Sequence, residues 1–422
     1  MKGIPVLIVF LFLLAVLLRL DFVYYIIYVC GGIWLLARWA TPRSLRSLKV
    51  RRDYVDHAFL GETIPVTLQL TNDTWLPMPW LRINESMPLD LAPAEQIRQV
   101  LTLRPREQVT INYSLRCTRR GYYRVGPLQL ASGDLFGFSE TLARAEAYQH
   151  LTVYPRIISL VGLGLPSRLP FGTLASAQRI FEDPARLRGV RGYTAGDSLR
   201  RINWKASAHA DDLLVKQFSP AISLESTVFL NLNANEFTRQ RRYASSEWAI
   251  VVAASVATYL EGARQAVGLA TNGLDPLTLP PDANRSAALA ELGARAQPGA
   301  IPSRPGRQHL MKVLELLARI ETMESDEPFV TWAQRAAVPL PWGTTVIAVT
   351  PDGGEAACRG LHALVRAGLN VVMLVVEPYG QFGIIRERAR RLGLTAHRVS
   401  SEQDLNRLQV IGGSPTARRV AA

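Results

Sequence analysis

Arg188-Gly-Val-Arg-Gly-Tyr-Thr-Ala-Gly-Asp-Ser-Leu-Arg-Arg-Ile-Asn-Trp-Lys-Ala-Ser-Ala208 crowds cations, aromatics and a turn into one short stretch. The residues before it read as anchoring and presentation, and those after it as an α/β domain. Gly196 permits a tight turn, and Asp197 is placed to cap the next helix. Leu199, Ile202 and Ala206 recur at spacings of three and four, which predicts one buried helical face. Arg200 and Arg201 then point elsewhere, and Arg191 is left to pair with Asp197 or with a partner's carboxylates. A pinned cationic docking surface and a salt-bridged junction between domains both fit this pattern.

At 422 residues the chain exceeds one ordinary core, so two or three domains are expected. A composition 48% hydrophobic and 20% charged is that of a globular protein. The formal charge of +13 points to an anionic surface, membrane or nucleic acid. Because part of that excess flanks the first apolar segments, the membrane is the simpler reading. Cys30, Cys117 and Cys358 form no ligand spacing or disulfide framework, and read as structural residues in a reducing compartment.

Residues Ile4–Leu18 and Phe22–Ala37 are two apolar runs broken by Arg19, Leu20 and Asp21. Each is slightly short for a span, but Arg19, Arg38 and Trp39 extend the effective length by snorkelling or by sitting at the interface. Residues 1–42 therefore read as a transmembrane helical hairpin. A secretory signal is the rival, but no small-residue cleavage site comes after Leu18. Arg38, Arg43, Arg46, Lys49, Arg51 and Arg52 flank the end of the second run, so the positive-inside rule places the bulk of the chain in the cytoplasm of a two-span inner or plasma membrane protein. The same cluster suits anionic headgroups.

Within residues 43–160, from about Val50 to Pro155, the period becomes two, as in Thr63-Ile-Pro-Val-Thr-Leu-Gln-Leu and Val109-Thr-Ile-Asn-Tyr-Ser-Leu, with turns at Thr71-Asn-Asp and Leu103-Arg-Pro-Arg. Short alternating strands predict an antiparallel, immunoglobulin-like β-sandwich. Inside it, Arg119-Arg-Gly-Tyr-Tyr-Arg-Val-Gly-Pro and Asp134-Leu-Phe-Gly-Phe read as folding determinants before binding ones. Residues 161–220 read as a linker, Val161–Pro184, followed by the segment that holds the Arg188–Ala208 stretch. Residues 221–410 alternate strands (from Leu224, Ala266, Thr344 and Asn370) with helices (from Glu247, Gln308, Pro328, Glu355 and Gly383), predicting a mainly parallel, Rossmann-like sheet. Ala283–Arg307 reads as a loose insertion or lid, and residues 411–422 as a tail.

Ligands of such sheets sit outside the carboxyl ends of the strands. There the chain offers Asn231, Asn233 and Asn235, with Asp352 at the end of a later strand. An oxygen-rich rim suits Mg²⁺, although three neutral amides supply little charge, and capping or turn duty is the default reading. No catalytic set emerges: no Ser or Cys has an evident base partner, and Gly192-Tyr-Thr-Ala-Gly lacks the Lys-Ser/Thr of a phosphate loop. Arg200, Arg201, Trp204 and Lys205 suit nucleic acid, but Asp197, Asp211 and Asp212 interleave them, which favours a buried or docking network.

Arg191, Tyr193, Gly196, Asp197, Arg200, Ile202, Trp204, Ala206, Val215, Lys216 and Phe218 together resemble the signature of the domain-of-unknown-function 58 family. The N-terminal hairpin and the Arg120-Gly-Tyr-Tyr segment are similar to family features too. The resemblance implies a von Willebrand factor A-like C-terminal domain, and association with MoxR-type AAA+ ATPases and transglutaminase-like membrane proteins. A complete metal site in A-domains uses Asp-x-Ser-x-Ser, where this chain has Asn231, Asn233 and Asn235; Ala208-His209 stands where an Ala-Arg pair is common. The resulting expectation is a non-enzymatic, membrane-tethered adaptor that recruits a cytoplasmic ATPase, without nucleic acid and without a required cofactor. The alternatives are a metal-dependent hydrolase using the Asn231–Asn235 and Asp352 rim, and a membrane-attached nucleic-acid-binding protein.

Overall fold

The computed structural model describes residues 10, 12–13, 21–91, 98–133, 140–145, 148–160, 182–194, 198–210, 212–220, 225–278, 300–378, 380 and 382–405. The chain divides into two compact units, Met1–Tyr154 and Pro155–Ala422.

The first unit opens with helix α1 (Asp21–Arg46), which contains the second apolar run. Phe22, Tyr25, Tyr28, Val29 and Leu35 on it are 60–72% exposed. Arg43 and Arg46 occupy its last turn, where cations complement the helix dipole, and the Arg43 guanidinium lies 5.3 Å from the Trp39 ring centroid. Among the described residues no helix is long and apolar enough to cross a membrane. The first apolar run lies outside the described residues except for Phe10, Phe12 and Leu13.

Ten strands come next: β1 (Leu48–Asp53), β2 (His57–Phe59), β3 (Thr63–Asn72), β4 (Met78–Glu85), β5 (Arg98–Leu103), β6 (Gln108–Arg116), β7 (Gly121–Val125), β8 (Leu128–Gly133), β9 (Glu140–Ala145) and β10 (Gln149–Tyr154). They form sheets ordered β1-β3-β6, β2-β10-β7 and β5-β4-β8-β9. Alternation along β3 turns Ile64, Val66, Leu68 and Leu70 inward, as its period-two pattern predicts. Leu68 and Leu70 pack with Met78, Leu81, Ile83, Leu128 and Leu130, and Leu45 of α1 joins this cluster. Further along the same face, Ile64 and Val66 pack with Ala58, Leu115, Val125, Leu151 and Val153. One sheet is thus covered by two others, a β-sandwich architecture.

The Thr71-Asn-Asp and Leu103-Arg-Pro-Arg turns are held together by one side chain. Buried Asn72 donates from Nδ2 to the Leu76 and Arg104 carbonyls at 2.9 and 3.0 Å, and its Oδ1 accepts from Thr74. Deeper in the unit, Arg52 and Glu85 form an ion pair whose side chains are 1 and 0% exposed, and the Tyr113 hydroxyl donates to Glu85. Burial, then the Glu85 charge, pushes the Tyr113 phenol well above its ordinary range. Burial likewise pushes Tyr54 up to about 12, against the pull of Arg52.

The second unit begins with an extended segment tied down by Ile158 N–H, which donates to Ser255 Oγ at 2.9 Å, and by an Arg156–Glu402 ion pair at 2.9 Å. Next come β11 (Glu182–Gly192), the short helix α2 (Trp204–Ser207) and β12 (Leu214–Pro220). The α/β region comprises β13 (Glu225–Leu230), α3 (Arg242–Gly262), β14 (Ala266–Thr271), β15 (Ala300–Arg304), α4 (Arg307–Arg319), α5 (Phe329–Ala337), β16 (Thr345–Thr350), α6 (Glu355–Arg366), β17 (Asn370–Val375), α7 (Phe382–Arg391) and β18 (Thr395–Arg398). The sheet order is β15-β14-β13-β16-β17-β18, parallel throughout except for antiparallel β15. Numbered from β13, this is the 3-2-1-4-5-6 order of a doubly wound sheet. Helices α5, α6 and α7 pack on the strands through Phe329, Trp332, Leu361, Leu364, Ile385 and Ala389.

The stretch Ala283–Arg307 is not loose throughout: Ala300–Arg304 is strand β15, with Leu269 opposite Ile301, and Arg307 opens α4. A Cβ on Gly268 would lie 2.9 Å from the Ser303 backbone, so this edge closes tightly over β14. Cys117 and Cys358 are buried free thiols, and burial pushes the Cys117 thiol up to about 11.

Candidate functional site

Strands β11 and β12 form a separate antiparallel ribbon, with Arg191 opposite Val215 and Gly192 opposite Leu214. The Arg188–Ala208 stretch begins in β11 and crosses to β12 without the predicted continuous helix. Leu199–Arg201 makes a single 3₁₀ turn preceded by Ser198, and Ile202 returns to extended backbone (ψ 131°) to bridge Val215. Helix α2 then starts anew, capped by Asn203, whose Oδ1 accepts from Ala206 N–H at 3.3 Å. Pairing with β12 pulls Ile202 out of the helical period. Accordingly Ile202 is 3% exposed while Leu199 is 68% exposed, and the predicted common face does not form.

The signature residues sort into two groups. Ile202 is buried, and Arg191 Nη1 donates to the Gly192 carbonyl and to Thr194 Oγ1 at 3.0 and 3.1 Å, bracing the end of β11. Tyr193 and Trp204 instead face outward, as does Leu213 beside them: Tyr193 N–H donates to the Leu213 carbonyl, and Asn203 N–H, one residue before Trp204, donates to that of Leu214. Lys205 is exposed next to Trp204. Gly196, Asp197 and the Arg200 side chain lie outside the described residues.

The second candidate lies where the strand order reverses, between β13 and β16, the position at which doubly wound sheets hold their ligands. A cleft of about 460 Å³ is lined there by Asn233, Asn235, Glu236, Ser325, Thr350 and Asp352, among others. The chain therefore brings Asn233, Asn235 and Asp352 to one rim. Asn231 sits just beneath, fully buried. Its amide donates to Glu236 Oε2 at 2.7 Å and to Thr350 Oγ1 at 3.3 Å, and its Oδ1 accepts from Asn233 N–H at 3.0 Å and Asn272 Nδ2 at 3.2 Å. Asn233 donates to the Ser325 and Glu327 carbonyls and accepts from Asn235 N–H and Ser325 N–H. Glu236 Oε1 accepts the Phe329 N–H at 2.6 Å, satisfying one orphan donor of helix α5.

Sequence reasoning did not single out Glu236, Asn272 or Ser325. The Glu236–Phe329 contact joins residues 93 apart, so no local spacing announces it.

The fold and these two places define a protein with a β-sandwich unit and an α/β unit that carries a ribbon and a strand-end cleft. Residues 189–296 match the family model described as "Protein of unknown function DUF58". The matched segment begins in β11 and takes in α2, β12 and the first strands of the parallel sheet. The chain is similar to "Uncharacterized protein YeaD" of Bacillus subtilis (strain 168), 25% identical over 169 residues, which are 39% of this chain and 42% of that protein. The match thus spans less than half of that relative. Among solved structures, Escherichia coli alpha-2-macroglobulin from domain MG7 to the C-terminus aligns at 19% identity and TM-score 0.24, over 27% of this chain and 17% of that one. The CARDB domain of PF1109 from Pyrococcus furiosus aligns at 15% identity and TM-score 0.20, over 25% of this chain and 94% of that one.

Proposed function

We propose that this protein is a membrane-tethered, cytoplasm-facing adaptor whose signature ribbon captures a partner protein. The observation that carries the reading is the outward display of Tyr193, Leu213 and Trp204, 38, 45 and 66% exposed, beside residues of the same stretch that are consumed structurally. Exposed aromatics beside a cation make the anchors that dominate protein interfaces.

Two features support the tether. The Phe12 and Tyr24 rings lie 6.1 Å apart between centroids. On one straight helix those positions would be separated by about 18 Å along the axis, so this proximity fits a chain reversal between the apolar runs. Helix α1 also leads within two residues into β1, so an anchor there would hold the β-sandwich close to the bilayer. The strand order with antiparallel β15 supports a von Willebrand factor A-like reading of the α/β region. The partner we propose is a MoxR-type AAA+ ATPase, which the resemblance to the family implies, with a transglutaminase-like membrane protein as a second candidate.

Detergent-solubilised full-length protein, purified with its partners, tests this. Wild type should retain an ATPase, and Tyr193→Ala with Trp204→Ala should lose it while melting at the same temperature. Equal retention by wild type and variant would remove the ribbon from the interface.

A further inference from the structure

The A-like reading carries the implication of a divalent cation at the strand-end rim, and Asn231 and Asn233, the first two positions of the expected ligand motif, do not fit one. A hard cation takes oxygen ligands, so an amide at such a site must present its oxygen and not its nitrogen. Here Asn231 turns its amide nitrogen, not its oxygen, toward the acidic side of the rim, because both of its protons go to Glu236 and Thr350. The orientation is dictated by its neighbours. Flipping the amide would set Oδ1 against the Glu236 carboxylate and would set Nδ2 against two donors, Asn233 N–H and Asn272 Nδ2. Both oxygen and nitrogen of Asn233 are also consumed by backbone groups.

We infer that Asn231 and Glu236 form an amide–carboxylate clasp that takes the place of a metal ion in fastening the rim, so that the cleft is built to work without a divalent cation. The clasp links three parts of the chain. Asn231 holds the end of β13 to Thr350 at the end of β16. Glu236 carries the connection onward to the first N–H of α5. Asn233 ties the same loop to Ser325 and Glu327, which lead into that helix. Where a cation would gather oxygens from separate loops, hydrogen bonds gather the loops here.

The inference rests on the A-like reading for its contrast, but its test does not depend on partner binding. The full chain in detergent is melted with EDTA and with millimolar Mg²⁺, Mn²⁺ or Ca²⁺. Wild type should melt within about 1 °C in all conditions, since a ligand specific for the folded state must raise its stability; a rise of several degrees with any of these ions overturns the clasp and strengthens a metal-binding A-domain. Asn231→Asp sets two carboxylates against each other and should lower the melting temperature. The reversed pair, Asn231→Asp with Glu236→Gln, restores one amide and one carboxylate, and the introduced side-chain carbonyl can still accept the Phe329 N–H. It should recover most of the loss without added metal. If the double variant melts no higher than Asn231→Asp, or if Asn231→Asp does not fold and the double variant does not fold either, the clasp is refuted.

Discussion

The tripeptide Arg-Gly-Tyr occurs twice, at Arg120–Tyr122 and Arg191–Tyr193; Tyr122 and Tyr193 are both exposed, but the chain beyond each copy does different work. In the first, the next residue, Tyr123, turns inward and its hydroxyl donates to the Arg119 and Arg120 carbonyls at 2.8 and 3.3 Å. Its ring lies over Gly121, where an added Cβ would come within 2.8 Å of it. This is the logic of a tyrosine corner, a phenol pinning the backbone just upstream of its own strand. In the second copy nothing among the described residues lies within 4 Å of where a Cβ on Gly192 would be, and Tyr193 faces out. Equal motif density therefore means a fastener in the β-sandwich and a displayed surface in the α/β unit. The difference arises downstream of each tripeptide: after the first the strand buries its next side chain, and after the second the chain leaves the strand.

The comparison breaks if the sandwich does not carry its stability in such internal polar fasteners, and the buried ion pair offers the largest test. Glu85→Ala leaves the Arg52 guanidinium buried without its carboxylate and should cost about 3–5 kcal/mol in urea denaturation of the full chain. A loss below about 1 kcal/mol would mean that the pair is solvated or dispensable. Alkali probes the same interior. Tyr54 ionises near pH 10 when unfolded and near 12 when folded, and burial raises Tyr113 and Tyr123 as well. The folded state therefore holds protons that the unfolded state releases, and stability is fully present below pH 10 and falls as pH rises from 10 towards 12. Phenolate absorbance should lag behind that of urea-unfolded protein across this window, and superimposed titrations would contradict the burial.

Much of the α/β unit was legible because long apolar strands alternate with amphipathic helices: the helix predicted from Glu355 is observed as Glu355–Arg366, and the strand predicted from Asn370 as Asn370–Val375. Strand β15 escaped because Ala300-Ile-Pro-Ser-Arg has neither the length nor the composition of a strand, and its pairing with β14 is what makes it one. In the Arg188–Ala208 stretch, residue identities marked importance but not mode. The spacing of Leu199, Ile202 and Ala206 is helical, and a tertiary pairing of Ile202 with Val215 overrides it. The rim was legible in its asparagines and Asp352 but not in Glu236, whose role depends on a helix start distant in sequence.

A smaller effect separates the two tyrosines. Tyr123→Phe removes one donor that serves two carbonyls and should cost about 0.5–1.5 kcal/mol. Tyr193→Phe should stay within about 0.5 kcal/mol of wild type, as expected for an exposed side chain. If the two substitutions cost the same, the division between fastener and display collapses.

The two glycines sharpen the contrast at the level of a single methyl group. Gly121→Ala forces the Tyr123 ring from its seat, and because that ring is buried and its hydroxyl is bonded, the methyl can be accommodated only by breaking those bonds or shifting β7; about 1–3 kcal/mol of destabilisation is expected. Gly192→Ala meets open space on a β-strand whose backbone any residue can adopt. Alanine restricts the unfolded chain more than glycine does, so the substitution should be neutral or stabilising by up to about 1 kcal/mol. Thermal melts of the two variants side by side decide this, and partner retention by Gly192→Ala adds a second reading. A methyl there adds no polar group and leaves Tyr193 in place. Loss of the partner without loss of stability would therefore mean that the partner lies directly against the β11 backbone, extending the docking surface from the aromatic side chains to the strand itself.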